Sequence, residues 1–203
     1  MDYFKAVKSR YSCYDITGKS TISDSRLKEM LNDAVSCAPS SFNSHSSRLV
    51  LLLQSGHETL WNIVLEALRP MVPEEKFPNT EKKIGSFAAG YGTILFYEDQ
   101  ETVRGLQEKY PLYSENFPLW AEQGSAMLQY IVWTGLEAEG LGASLQHYNP
   151  LIDREAAAAF DIPDHWKLIA QMPFGVPAEE HRGGIRKGED TWVRVVEKSG
   201  RRG

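Results

Sequence analysis

The chain has 203 residues, 42% of them hydrophobic and 24% charged, with a formal net charge of -5. These are ordinary globular values, enough for one sizeable core, and a single domain over residues 1–203 is expected. The acidic balance gives no support to binding nucleic acid or an anionic membrane, and no run reaches the roughly 18 uninterrupted apolar residues of a membrane span.

Met1 to Lys5 lacks a basic region followed by an apolar run, so no secretory signal is read and the cytoplasm is the expected compartment. Asp2 to Ser9 reads as a short amphipathic helix ending before Arg10. Cys13 and Cys37 are too few for a disulfide framework or a zinc motif and read as reduced thiols. Ser23 is a candidate N-cap. Behind it Leu27, Met30, Leu31, Ala34 and Val35 recur at helical spacing until Pro39 stops the pattern. Leu49 to Leu53 and Thr93 to Tyr97 are continuous apolar runs that read as buried strands. His57 to Leu68 and Lys82 to Ala89 suit helices.

Phe117 to Glu139 is apolar around most of its circumference, which places a helix in a core or at an interface. Ala143 to Gln146 reads as a short strand, Asp153 to Phe160 as a helix and Lys167 to Met172 as a strand. Thr191 to Val196 reads as a last strand that can reach onto a partner across the polar spacer Gly183 to Glu189. Helices outnumber and separate the strands, which implies a mixed sheet flanked by helices, α+β or α/β.

Standard catalytic signatures are missing. No dinucleotide fingerprint, P-loop, His-Glu-x-x-His or Gly-x-Ser-x-Gly is found, and the five histidines have no metal-ligand spacing. If the chain is an enzyme, a cofactor carries the hard chemistry. Three clusters have the residue types to hold one. Arg10 and Ser12, just past the first helix, offer a guanidinium fork and a hydroxyl suited to a phosphate. The loop Pro39-Ser40-Ser41-Phe42-Asn43-Ser44-His45-Ser46-Ser47-Arg48 is dense in small donors. Gly140 to Pro150 gathers Gln146, His147, Tyr148 and Asn149 at a strand end, where ligand sites of α/β proteins tend to lie. Taken singly, the Arg10 cluster reads first as a surface loop, the serine loop equally well as a turn, and His147 first as a structural histidine.

In this order and spacing the clusters resemble the nitroreductase family of flavoproteins. The likeness is to its short microbial and fungal branch, linked to oxidative-stress and fatty-acid responses. Arg10-Tyr11-Ser12-Cys13-Tyr14 is similar to that branch's Arg-Arg-Ser-x-Tyr pattern, and the Pro39–Arg48 loop to its Pro-Ser-x-Phe-Asn-Ser-Gln-Ser-x-Arg. Gly90 to Phe96, Phe117 to Trp120 and Gly140 to Pro150 resemble further blocks, so that the likeness runs over about residues 3 to 178.

The resemblance implies a three-layer α+β fold and an obligate homodimer with FMN at the subunit interface. It also implies ping-pong transfer of two electrons from NADH or NADPH to a nitroaromatic or quinone-like acceptor. Arg10, Tyr11 and Ser12 would then meet the phosphate end, and Pro39, Ser40, Ser41, Asn43 and His45 the ribityl chain and ring edge. A backbone N–H at His147, Tyr148 or Asn149 would face flavin N5. No metal is implied. Tyr11 stands where the branch has a second arginine, and His45 where it has glutamine. The family's C-terminal basic residue has Arg186 and Lys187, with Arg182 third, as its candidates. The altered phosphate end and divergent tail leave a second reading, a non-enzymatic flavin-binding or regulatory protein on the same fold. Acceptors such as hydroxylamines or quinones also stay open.

Overall fold

The computed structural model describes residues 2–179 and 193–196. Helix α1 (Tyr3–Ser9) opens on Asp2, whose side chain accepts from the Lys5 N–H. A two-residue strand, β1 (Ile16–Thr17), follows. Helix α2 (Asp24–Cys37) begins on Ser23, whose side chain accepts from the Arg26 N–H, and ends at Ala38 before Pro39. These are the polar caps that free helix-end donors require. Then come β2 (Ser47–Leu53), α3 (Gln54–Leu68), α4 (Phe77–Ala88) and β3 (Gly92–Asp99). Helix α5 (Gln100–Lys109) is capped by Asp99, and α6 (Phe117–Ala138) ends on Gly140 at φ +80°. The chain continues through β4 (Gly142–Ala143) and α7 (Asp153–Phe160) to the long strand β5 (Trp166–Pro177).

The sheet runs β1-β5-β3-β2, with β4 also on β5, and every ladder is antiparallel. Its mixed character is confined to one parallel bridge, Ser12 to Ala143. Strand β3 lies in the middle and is buried along its whole length. Alternation divides it between two cores. Ile94 and Phe96 join Leu27, Leu31, Leu128, Val132 and Leu136 from α2 and α6. Leu95 and Tyr97 join Leu60, Trp61, Val64, Ile84 and Phe87 from α3 and α4, with Ile152 and Ala156 near α7. Helices on both faces of one sheet give the expected three layers.

Helix α6 is less enclosed than its composition suggests. Leu128, Val132 and Leu136 face the core, while Leu119, Met127 and Tyr130 are exposed. The Lys82–Ala89 helix starts earlier, at Phe77, with a proline in its first turn, where a missing N–H costs nothing. The Ala143–Gln146 strand shrinks to Gly142–Ala143 plus a bridge between Gln146 and Gln171. The last strand does not appear in its described part: Val193 to Val196 are exposed and outside any strand, and Thr191 lies outside the described residues. Arg182, Arg186 and Lys187 also lie outside them. Among the described residues no helix is long and apolar enough to cross a membrane, and no group of acidic, His and Cys side chains could hold a metal.

Candidate functional site

The Arg10 segment leaves α1 and runs along β4. Its Cys13 N–H donates to the Ala143 carbonyl at 2.9 Å. Close approach here needs a glycine: a Cβ on Gly142 would stand 2.8 Å from Cys13 Sγ. The Arg10 guanidinium lies 4.2 Å from the centre of the Trp133 ring on α6. Its Nε is buried with no hydrogen-bond partner among the described residues. Ser12 is exposed next to it. The Tyr11 hydroxyl donates to Cys13 Sγ at 3.1 Å, and burial, with that contact second, pushes its pKa up. Burial also pushes the Cys13 thiol up, so it stays protonated and is no nucleophile near neutrality.

The Gly140–Pro150 segment meets the Arg10 segment at Ala143 and follows β5 outward. Gln171 organises it. Its backbone exchanges two hydrogen bonds with Gln146, at 2.7 and 2.9 Å. Its side chain accepts the Tyr148 N–H at 2.8 Å and donates to Asn149 Oδ1 at 3.3 Å. The Tyr148 N–H is therefore engaged, which leaves the backbone N–H groups of His147 and Asn149 for a ligand. Burial, with Tyr14 nearby as the lesser cause, pushes the Tyr148 phenol up to about 12. These two clusters thus come together in one chain.

The serine loop stands apart from them. It packs on α6 at Gly124, where a Cβ would meet the Pro39 carbonyl and Ser40 Cβ at 3.9 Å. Trp133 is nine residues further on, about 14 Å along the helix axis. Phe42, Asn43 and His45 have φ of 55°, 53° and 46°, left-handed values that non-glycine residues rarely adopt, with right-handed Ser44 between them. The loop is held from within: the Ser40 hydroxyl accepts the His45 N–H at 3.1 Å, and Ser41 accepts the Ser44 N–H. It is also held from outside, since Phe42 packs among Tyr110, Tyr113, Phe117 and Trp120.

At the loop's exit, Arg48 donates to the His45 carbonyl at 2.6 Å and pairs with Asp99 at 2.8 Å. Buried Glu98 accepts from Ser46 and Ser47. The hydrogen bonds, Arg48 and the α5 backbone outweigh burial at Asp99 and hold its carboxyl below the usual range.

A family model described as the nitroreductase family matches residues 7–176. The chain belongs to the nitroreductase family. It is thus an oxidoreductase. It is 29% identical to the nitroreductase FRM2 of Saccharomyces cerevisiae over 178 residues, 87% of this chain and 88% of that one. The nitroreductase CinD from Lactococcus lactis, solved with chloramphenicol, superposes with a TM-score of 0.86 at 37% identity, over 97% of this chain and all of that one. A Desulfitobacterium hafniense nitroreductase with bound FMN shares the fold, with a TM-score of 0.70 at 17% identity.

Sequence reasoning assigned no role to Trp133, Gln171, Glu98 or Phe42. Two of them carried a visible signal. Gln171 interrupts an otherwise apolar strand, and Glu98 follows a buried apolar run; a polar side chain in such a place needs partners. Trp133 is one more apolar residue on an apolar helix, and its contact with Arg10 is visible only in three dimensions.

Proposed function

We propose that this chain is a cytoplasmic FMN-dependent oxidoreductase. It takes two electrons from NADH or NADPH and passes them to a nitroaromatic or quinone-like acceptor by a ping-pong route. It works as a homodimer of single FMN-binding domains. The observation that carries the reading is Arg10. A cation with a buried, unpartnered Nε beside an exposed serine is suited to an anion such as the flavin phosphate. Bound FMN would supply the two-electron hydride chemistry that no side chain here provides.

The chain's own residues bind and orient. Arg10, Ser12 and the start of the Tyr11 segment hold the phosphate end, with Arg186 or Lys187 as a second cation. Pro39, Ser40, Ser41, Asn43 and His45 line the ribityl chain and ring edge. The N–H of His147 or Asn149 would donate to the acceptor nitrogen of the oxidised ring and so orient it for the hydride. Tyr148 is not that donor, because its N–H is given to the Gln171 side chain.

Three observations support a second copy. The serine loop and Arg10 contact α6 about 14 Å apart, so a site using both has room for a contribution from another chain. Leu119, Met127 and Tyr130 on α6 lie exposed, as do Tyr3 and Phe4 on α1, and offer apolar surface to a second copy. The edge strand β2 has one side unpaired among the described residues. For the acceptor class, the Lactococcus relative's complexes with chloramphenicol and 4-nitrophenol give support.

Anaerobic NADH and NADPH, added separately to the yellow protein, test the reading. Rapid loss of the visible flavin band, restored by a nitroaromatic, is expected with at least one of them. Flavin that neither donor bleaches would instead indicate a flavin-binding protein without this activity.

A further inference from the structure

We propose that Trp133 is a positioning residue for Arg10, and that the chain's preference for phosphorylated over unphosphorylated flavin depends on it. The inference rests on the FMN reading above and names how that site is held. Arginine is long and flexible, and among the described residues the Arg10 guanidinium has no carboxylate or carbonyl partner. What fixes it is the indole face at 4.2 Å. Contact with a ring face restrains the guanidinium without giving its N–H donors an oxygen acceptor. An ion pair would have restrained it as well, but would have consumed the donors and cancelled the charge. The arrangement therefore suits a residue that must be both still and unoccupied.

The indole is itself tethered. Trp133 Nε1 donates to the Ala143 carbonyl at 3.1 Å. That same carbonyl accepts the Cys13 N–H at 2.9 Å, three residues after Arg10. One indole thus sets both the side chain of Arg10, through its face, and the backbone of the Arg10 segment, through Ala143. The buried, unpartnered Arg10 Nε is a second observation pointing the same way. A donor kept from water has a cost unless an acceptor arrives.

The test compares FMN with riboflavin, which lacks the phosphate. Each is titrated into the full-length chain stripped of flavin, with binding followed by flavin fluorescence. Arg10→Ala is expected to cut the preference for FMN by about 10- to 100-fold. Trp133→Leu is expected to cut it by about 3- to 30-fold while riboflavin affinity stays within about twofold, and to add nothing to Arg10→Ala in the double variant.

Equal losses for both ligands in Trp133→Leu, or additive losses in the double variant, would overturn the proposal and leave a scaffold role. An Arg10→Ala chain that keeps its full preference would instead remove the phosphate reading, and the proposal with it. Should Trp133→Leu fail to fold, Trp133→Phe serves. It keeps a smaller ring face without the N–H, and about a threefold loss of preference is expected. Full retention in Trp133→Phe would overturn the proposal.

Discussion

The Ser46 hydroxyl donates to Glu98 Oε2 at 2.6 Å, in a place where both residues are buried. Ser47 donates to the other oxygen of the same carboxyl group, so Glu98 ties down the end of the serine loop. Burial raises the Glu98 pKa more than the two serines and Arg48 lower it. Between its ordinary value and the raised one, the folded chain keeps a proton that the unfolded chain has lost. The stability from this group is therefore full below the ordinary carboxylate range and falls as pH rises through the raised value. Glu98→Gln should remove that dependence and gain on the wild type as pH rises from the ordinary carboxylate range through the raised value. Glu98→Ala should cost about 2–4 kcal/mol, because it leaves a hole and strands two hydroxyls. Urea unfolding at several pH values checks both.

His57 has the opposite sign. Thr93 Oγ1 accepts from Trp61 Nε1 at 3.0 Å, so its own proton goes to His57 Nδ1 at 2.9 Å. The other ring nitrogen then donates to the Ala88 carbonyl at 3.1 Å, which makes the imidazole neutral. Burial lowers its pKa, against smaller opposing effects of Ala88 and Glu58. As pH falls through the ordinary histidine value, about 6.5, the unfolded chain takes up a proton that the folded one refuses. Stability should fall over that range, and His57→Gln should flatten the fall. Thr93→Val should cost about 1–3 kcal/mol at neutral pH by stranding the Trp61 Nε1 donor and the His57 Nδ1 acceptor. Stability profiles from unfolding titrations read out each effect.

Gly142 links stability to binding. An added Cβ would stand 2.8 Å from Cys13 Sγ, 2.9 Å from Cys13 Cβ and 3.0 Å from Pro177 Cγ. Gly142→Ala must push the Arg10 segment off β4. A loss of about 1–3 kcal/mol of stability is expected, together with weaker FMN binding. Unchanged FMN affinity in a titration would show that the segment's seat on β4 does not position the site.

Much of the fold is legible in the sequence because its signals are local. Ser23 and Pro39 bracket α2, and the apolar run of β3 is buried on both faces as expected. That of β2, expected to be buried too, lies at the sheet edge and is only partly covered apart from Leu52. Where tertiary contacts decide, the sequence is silent. Strand β1 is two residues long and exists through its pairing with β5, and α5 has too few apolar residues to show a stripe, yet Asp99 caps it. The candidate site divides in the same way. Arg10, the serine loop and the His147–Asn149 segment stand out by residue type. Their arrangement depends on Trp133, Gln171 and Glu98, which act across the fold rather than along the chain.

The central claim, a flavin site completed by two copies of the chain, is tested most directly by sedimentation velocity followed in both the protein and visible flavin bands. The flavin is expected to travel with a two-chain particle holding equimolar FMN, and Met127→Glu on the exposed face of α6 should release both partner and flavin. FMN sedimenting with a single chain, or a colourless chain that takes up no added FMN, would contradict the account.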